Sequence, residues 1–160
     1  MGGNGTGTRE RFAGLIMQVT DAIAGRPVEP ALADFLDARF PAGGATFEAI
    51  RAACHQAIEE GWMCSREAGG IRFGRVIPAG EDTAGFSVDV VRMEEVVGPH
   101  HRHPRGEIDM IMPIDPEARF DGRGAGWLVY GPDSAHRPTV TGGAALILYL
   151  LPGGEIEFTR

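Results

Sequence analysis

Lysine is absent from this chain: all fifteen of its basic residues are arginine. That excludes every mechanism built on a lysine Schiff base, pyridoxal phosphate chemistry and imine-forming aldolases included. It also excludes the phosphate-binding lysine of a Walker-type loop. Basic charge is scarce as a whole. Against the arginines stand 22 acidic residues, for a formal net charge of −7, so the concentrated basic face that neutralises phosphates is missing and no nucleic-acid partner is expected. No run of about 18 apolar residues occurs, and the start of the chain lacks the apolar stretch of a signal peptide. No membrane association is expected, and the expected compartment is the cytoplasm. Cysteine is nearly absent too. Cys54 and Cys64 form no CxxC and have no partner cluster, so both are expected to be packed or idle thiols in a reducing compartment.

What remains is an ordinary globular chain. Its 160 residues, 43% hydrophobic and 23% charged, suit one structural domain with a core of its own. Residues 1–8 are glycine-rich and expected to be disordered. Residues 9–61 read as helical. Phe12, Leu15, Ile16, Val19 and Ile23 recur at helical spacing after a cap at Thr8, and Gly25 and Pro27 end that run. Leu32, Phe35, Leu36 and Phe40 repeat the pattern, and Phe47, Ile50, Cys54 and Ile58 form a third face closed by Gly61. This region is expected to pack on the rest of the chain or on a partner subunit. Residues 62–160 change texture. Short β-type runs are expected at Ile71–Ile77, Phe86–Met93, Val96–His103, Glu107–Met112, Trp127–Tyr130, Arg137–Val140, Ala144–Leu151 and Glu155–Phe158, spaced as in an all-β sandwich or barrel. The Gly-x-Gly-x-Gly at residues 122–126 is flanked by β-type sequence and reads as a turn rather than a nucleotide loop. No nucleotide or flavin cofactor is expected.

The chemistry concentrates between residues 100 and 136. Residues i and i+2 of a strand share a face, so His101 and His103 can both aim inward, with His100 pointing away. Pro104 and Gly106 favour a turn that brings Glu107 close to the pair. A second Pro/Gly turn delivers His136 to the start of another strand. Three imidazoles and a carboxylate suit one divalent ion, Fe, Mn, Co, Ni or Zn, with a position or two left for water or substrate. Asp109 shares the parity of Glu107 and faces the same interior, where an unpaired carboxylate needs an arginine or a functional role. His55 lies off the apolar stripe of its helix and is expected at the surface.

The spacing His-x-His-x3-Glu resembles the first motif of the cupin superfamily, with His101, His103 and Glu107 at its ligand positions and His136 as the last residue of the second motif. Three positions depart from the pattern: Glu95 and Asp133 stand where glycine is usual, and Gly131 where proline is usual. The resemblance implies a mainly β fold, a cupin-type double-stranded β-helix or jelly-roll barrel, with about three N-terminal α-helices. A closer resemblance, carried by Gly61–Arg75, Gly85–Val91, the histidine segment, Phe120–Trp127 and Ser134–Val140, is to the 4-hydroxylaminobenzoate lyases. It implies conversion of 4-hydroxylaminobenzoate and water to 3,4-dihydroxybenzoate and ammonia. Glu107 or Asp109, whichever is not a ligand, would then act as base. The carboxylate of a small aromatic acid calls for a planar two-donor partner, for which Arg72, Arg75, Arg92 and Arg137 are candidates, Arg72 and Arg75 foremost. Trp62, Trp127, Phe73 and Phe86 are candidates for an aromatic pocket. The alternatives are a non-catalytic, small-ligand-binding sensor and a dioxygenase or isomerase acting on another small acid. A homodimer or larger assembly is expected, because the helical faces need burial and cupins resembling this chain pair through their sheets.

Overall fold

The computed structural model describes residues 4–159. Three helices come first, α1 (Asn4–Ile23), α2 (Leu32–Arg39) and α3 (Ala45–Glu60), where the apolar spacing places them. The one difference is the start of α1. Residues 4–8 belong to the helix, not to a disordered start, and residues 1–3 lie outside the described residues. A tie to the end of α3 accounts for the extra turn: the Thr8 hydroxyl donates to Glu60 Oε1 (2.7 Å) and accepts from Trp62 Nε1 (3.3 Å).

Among the described residues ten strands follow: β1 (Arg66–Ala68), β2 (Ile71–Ile77), β3 (Phe86–Val97), β4 (His101–His103), β5 (Glu107–Pro113), β6 (Arg119–Phe120), β7 (Gly126–Tyr130), β8 (Ser134–His136), β9 (Thr139–Pro152) and β10 (Glu157–Phe158). A seven-stranded antiparallel sheet runs β1-β2-β3-β9-β5-β7, with β6 paired to β9, and a three-stranded sheet runs β10-β4-β8. This is the expected mainly β, two-sheet barrel with three N-terminal helices.

Two expected strands are broken, for one reason. The run Val96–His103 crosses from the large sheet to the small one, and the chain returns through Arg137–Val140, of which only Thr139 and Val140 lie in a strand. Val97 pairs with Thr139 in the large sheet, and His101 with His136 in the small. Between them, Pro99 and Pro138 cannot donate to a ladder. The Gly98 amide instead donates to the Pro138 carbonyl at 2.7 Å. A Cβ at Gly98 would sit 2.9 Å from the Pro138 ring, so only glycine allows this approach. The two long strands thus bend together as one ribbon, which carries His101 and His136 side by side.

The pleat sorts the large sheet into two faces. Val88, Val90, Ile108, Met110, Leu148 and Leu150 point outward into one cluster with Phe12, Ile16, Leu36, Phe47 and Ile50 of the helices. Trp127 pins this layer: its indole N–H donates to the Phe40 carbonyl at 2.9 Å, its backbone N–H to Asp37 Oδ1 at 3.1 Å, and its ring meets Phe47 edge-on. The helical faces are therefore buried against the chain's own barrel; Phe12, Ile16, Val19 and Ile23 are each 1% exposed. The opposite face carries Met93, Ile111, Ile147, Tyr149 and Leu151 and forms the barrel interior.

Candidate metal centre and its cavity

His101 and His103 occupy alternate positions of β4, Glu107 opens β5 after the turn at Gly106 (φ 98°), and His136 ends β8 opposite His101. One ligand atom from each of the four lies within 4.8 Å of the others. The Glu107 carboxylate stands 3.3 Å from His101 Nε2, 2.9 Å from His103 Nε2 and 3.5 Å from His136 Nε2. The expected ligand set is thus brought together, with the first three members buried.

Hydrogen-bond bookkeeping fixes two of the rings. The Ser134 hydroxyl donates its single proton to the Gly131 carbonyl (2.6 Å), so towards His103 Nδ1, 2.8 Å away, it can only accept. His103 therefore carries its proton on Nδ1 and turns the Nε2 lone pair inward. Asp121 does the same for His136, accepting from Nδ1 at 2.6 Å. The same carboxylate accepts from the Tyr130 hydroxyl (2.6 Å) and the Thr139 amide (2.9 Å). Burial works against the Asp121 charge, but these three donors outweigh it and hold its pKa below the usual carboxylate range. Tyr130 goes the other way; burial first, then Asp121, push its phenol up, so it stays a donor.

Buried lone pairs facing one another repel. His103 Nε2 and Glu107 Oε2 have no hydrogen-bond partner although both are buried. Burial tends to raise the Glu107 pKa, yet the three imidazoles override it and keep it well below the ordinary value. Around His136 burial works against the charged ring, but Asp121 and Glu107 outweigh it and push the pKa up to about 9, so without a metal this ring carries a second proton on Nε2, the one a bound cation would displace. The cluster is built for positive charge at its centre. Inward nitrogen lone pairs, a carboxylate and hydrogen bonds behind the rings are the donor set and outer support of a divalent cation, so the residues fit a metal.

The remaining predicted site residues separate. Asp109 faces the interior beside Glu107, fully buried; no donor group reaches either of its oxygens, and the charges that bear on it are the carboxylates of Glu107 and Asp121. Burial, then the neighbouring Glu107 charge, push its pKa well above the carboxylate range, which suits it to start as an acid and to take up a proton only after giving its own away. His101 and Tyr149 line one side of a cavity of about 620 Å³, together with Phe73, Val91, Met93 and Phe158. Of the arginine candidates only Arg75 lines it. Its guanidinium is committed to Asp89 through two bonds of 2.7 and 3.2 Å and to the Gly154 carbonyl. Arg72 is a correction: it alternates to the face opposite Ile71 and Phe73, because the strand pleat allows only odd positions of β2 inward here. Arg92, beside Arg72 in the register, faces Glu94 (3.6 Å). Arg137 is exposed beyond the end of β8, outside the cavity lining. Of the four aromatic candidates, Phe73 alone reaches the cavity. Trp127 and Phe86 are core on the helix side, and Trp62 packs on Phe12 and under Arg9. His100 reaches Thr159 and not the cluster, and His55 is exposed as expected. Both cysteines are buried and free. Sequence reasoning missed Asp121, Tyr130, Ser134, Tyr149, Phe158 and Arg66.

Among the described residues no helix is long and apolar enough to cross a membrane. Among solved structures the chain is similar to an RmlC-like cupin protein from Ralstonia eutropha (TM-score 0.45, 10% identity, 60% of this chain and 64% of that one). It is also similar to a DMSP lyase from Ruegeria pomeroyi (TM-score 0.41, 21% identity, 72% and 70%). Curated relatives are nearer. A 4-hydroxylaminobenzoate lyase of Nocardioides sp. is 31% identical over 136 residues, 79% of this chain and 80% of the relative. One of Pseudomonas putida is 26% identical over 167 residues, covering 94% and 95%. The family model described as 4-hydroxylaminobenzoate lyase matches residues 14–158, a span that takes in the second half of α1, the other two helices, both sheets and every member of the cluster, and the chain belongs to that family.

Proposed function

We propose that the protein is a carbon–nitrogen lyase that converts 4-hydroxylaminobenzoate and water to 3,4-dihydroxybenzoate and ammonia, in the breakdown of nitroaromatic compounds. The observation that carries this reading is the convergence of three imidazole nitrogens and one carboxylate beside an apolar cavity in a member of this family. The reaction is redox-neutral overall, so the lack of any nicotinamide or flavin motif is no obstacle.

His101, His103, Glu107 and His136 would hold one divalent ion, of Fe, Mn, Co, Ni or Zn, which would supply Lewis acidity towards the hydroxylamino oxygen or a bound water. The chain's own groups do the rest. The N–O bond breaks with its electron pair on oxygen, and that oxygen leaves as water after taking a proton. Asp109, buried without a partner beside Glu107, is assigned as the proton's source. Water then adds to the ring carbon next to the nitrogen and gives up a proton, which restores Asp109. A further water replaces the nitrogen at the resulting imine carbon, ammonia departs, and the ring regains aromaticity as the diol. The apolar walls at Phe73, Val91 and Met93 suit a flat ring and limit stray water. Under anaerobic conditions the metal-loaded protein should release ammonia and 3,4-dihydroxybenzoate in equal amounts. Binding without turnover would favour the sensor reading, and a requirement for oxygen the dioxygenase.

The same reading takes the protein as a cytoplasmic homo-oligomer. Support for self-association lies in β1, a three-residue edge strand exposed along its whole length, which an identical edge can cover. Sedimentation at the monomer mass of 17.1 kDa would contradict this.

A further inference from the structure

We propose that Arg66 is the residue that receives the carboxylate of the substrate. This rests on the lyase reading for the identity of the acid, but the observations are those of the cavity itself. Two arginines line it, Arg66 and Arg75, and one acid, Asp89. Arg75 and Asp89 cancel each other in a two-bond pair. Among the described residues no side chain bonds or pairs with the Arg66 guanidinium, so it is the uncompensated charge of the lining.

Its direction follows from register. Arg66 pairs with Phe73 across β1 and β2, and Phe73 with Val91 across β2 and β3. Directly paired residues share a face, and Phe73 and Val91 are cavity walls. Glu67, the nearest acid in sequence, alternates to the other face beside Arg72 and leaves Arg66 unneutralised. The substrate carries its two polar groups at opposite ends of a flat ring. The lining holds His101 of the cluster and Arg66 of the edge strand, and most of the rest of it is apolar. A guanidinium offers two parallel N–H donors that match a carboxylate, which a metal-bound orientation of the far end would require.

The test separates this proposal from the lyase reading by measuring binding as well as turnover. Calorimetry compares 3,4-dihydroxybenzoate with catechol, the same ring without the acid, on metal-loaded wild type, Arg66→Met, Arg66→Lys and Arg72→Met. Wild type should prefer the acid by about 10-fold or more, the scale of a charge-assisted hydrogen-bond pair at a partly solvated position. Arg66→Met should abolish that preference while catechol affinity and metal content stay unchanged; Arg66→Lys should keep part of it, and Arg72→Met all of it. In turnover the loss should appear in KM for 4-hydroxylaminobenzoate and not for hydroxylaminobenzene. A wild type with no preference for the acid, or an Arg66→Met variant that keeps it, overturns the proposal. Retained acid preference without ammonia release would sink the lyase reading and leave the anchor standing.

Discussion

Replacing Asp121 by Asn probes how far the cluster depends on residues behind it. The carboxylate accepts three hydrogen bonds: Oδ2 from His136 Nδ1 and the Tyr130 hydroxyl, both at 2.6 Å, and Oδ1 from the Thr139 amide at 2.9 Å. An amide has only one accepting atom. With its NH2 group at the Oδ1 place it faces the Thr139 N–H, donor against donor. With the NH2 at the Oδ2 place, His136 must turn acceptor at Nδ1, which confines its proton to Nε2, where a bound cation needs the lone pair. Backbone geometry does not confuse the comparison, because Asp121 sits at φ 49°, a conformation that Asn tolerates as well as Asp. Loss of an outer hydrogen bond to a metal-binding histidine costs about 10–100-fold in metal affinity. One buried donor left without an acceptor should lower stability by about 1–3 kcal/mol. Competition against a chromogenic chelator measures the first and urea unfolding of the metal-free protein the second. Metal affinity within about twofold of wild type would refute the argument, since Asp121 would then be giving His136 far less support than an outer hydrogen bond to a metal ligand supplies.

Other outcomes are equally concrete. Glu95 stands at φ 44°, inside the bulge between Glu94 and Val96, where a side chain is strained by about 1–2 kcal/mol. After allowance for the extra freedom of glycine in the unfolded chain, Glu95→Gly should raise stability by about 1 kcal/mol and the melting temperature by about 2–4 °C; a lower melting temperature would refute it. Cys54 and Cys64 are 0% and 1% exposed, and burial pushes the Cys64 thiol up to about 11 and the Cys54 thiol higher. Neither should react with a disulfide reagent at pH 8 in the folded protein, and both should react in denaturant; rapid stoichiometric labelling of the native state would contradict the buried placement.

The fold was legible wherever a period could express itself. The helical faces of Phe12–Ile23 and Phe47–Ile58 and the strand Ile71–Ile77 appear as expected, because ten or more residues of 3.6-fold spacing, or several of alternation, record which side is buried. Strands β1 and β6, of three and two residues, are too short to hold any period. The cluster was legible because His101 and His103 are locally related by the pleat and Glu107 by a tight turn. Its supports were not. Asp121 reaches His136 across fifteen residues and Arg66 meets the cavity only through the pairing of β1 with β2, relations that exist after the sheets have formed. The glycine positions tell the converse story. Glu95 and Asp133, the two places where glycine is usual in cupin motifs, both adopt positive φ, 44° and 67°. The motif's glycines therefore mark backbone shape, and the chain keeps that shape at some cost without them.

If the lyase reaction takes place at one ion held by His101, His103, Glu107 and His136, activity must follow metal loading. Metal-free protein is given increasing amounts of a single divalent ion, and ammonia release from 4-hydroxylaminobenzoate is followed in the absence of oxygen. Ammonia release should rise and level off at one ion per chain, with no ammonia at any loading from His103→Ala with His136→Ala and unchanged secondary structure in that variant. Full activity in the metal-free protein, or in the double variant, would contradict it.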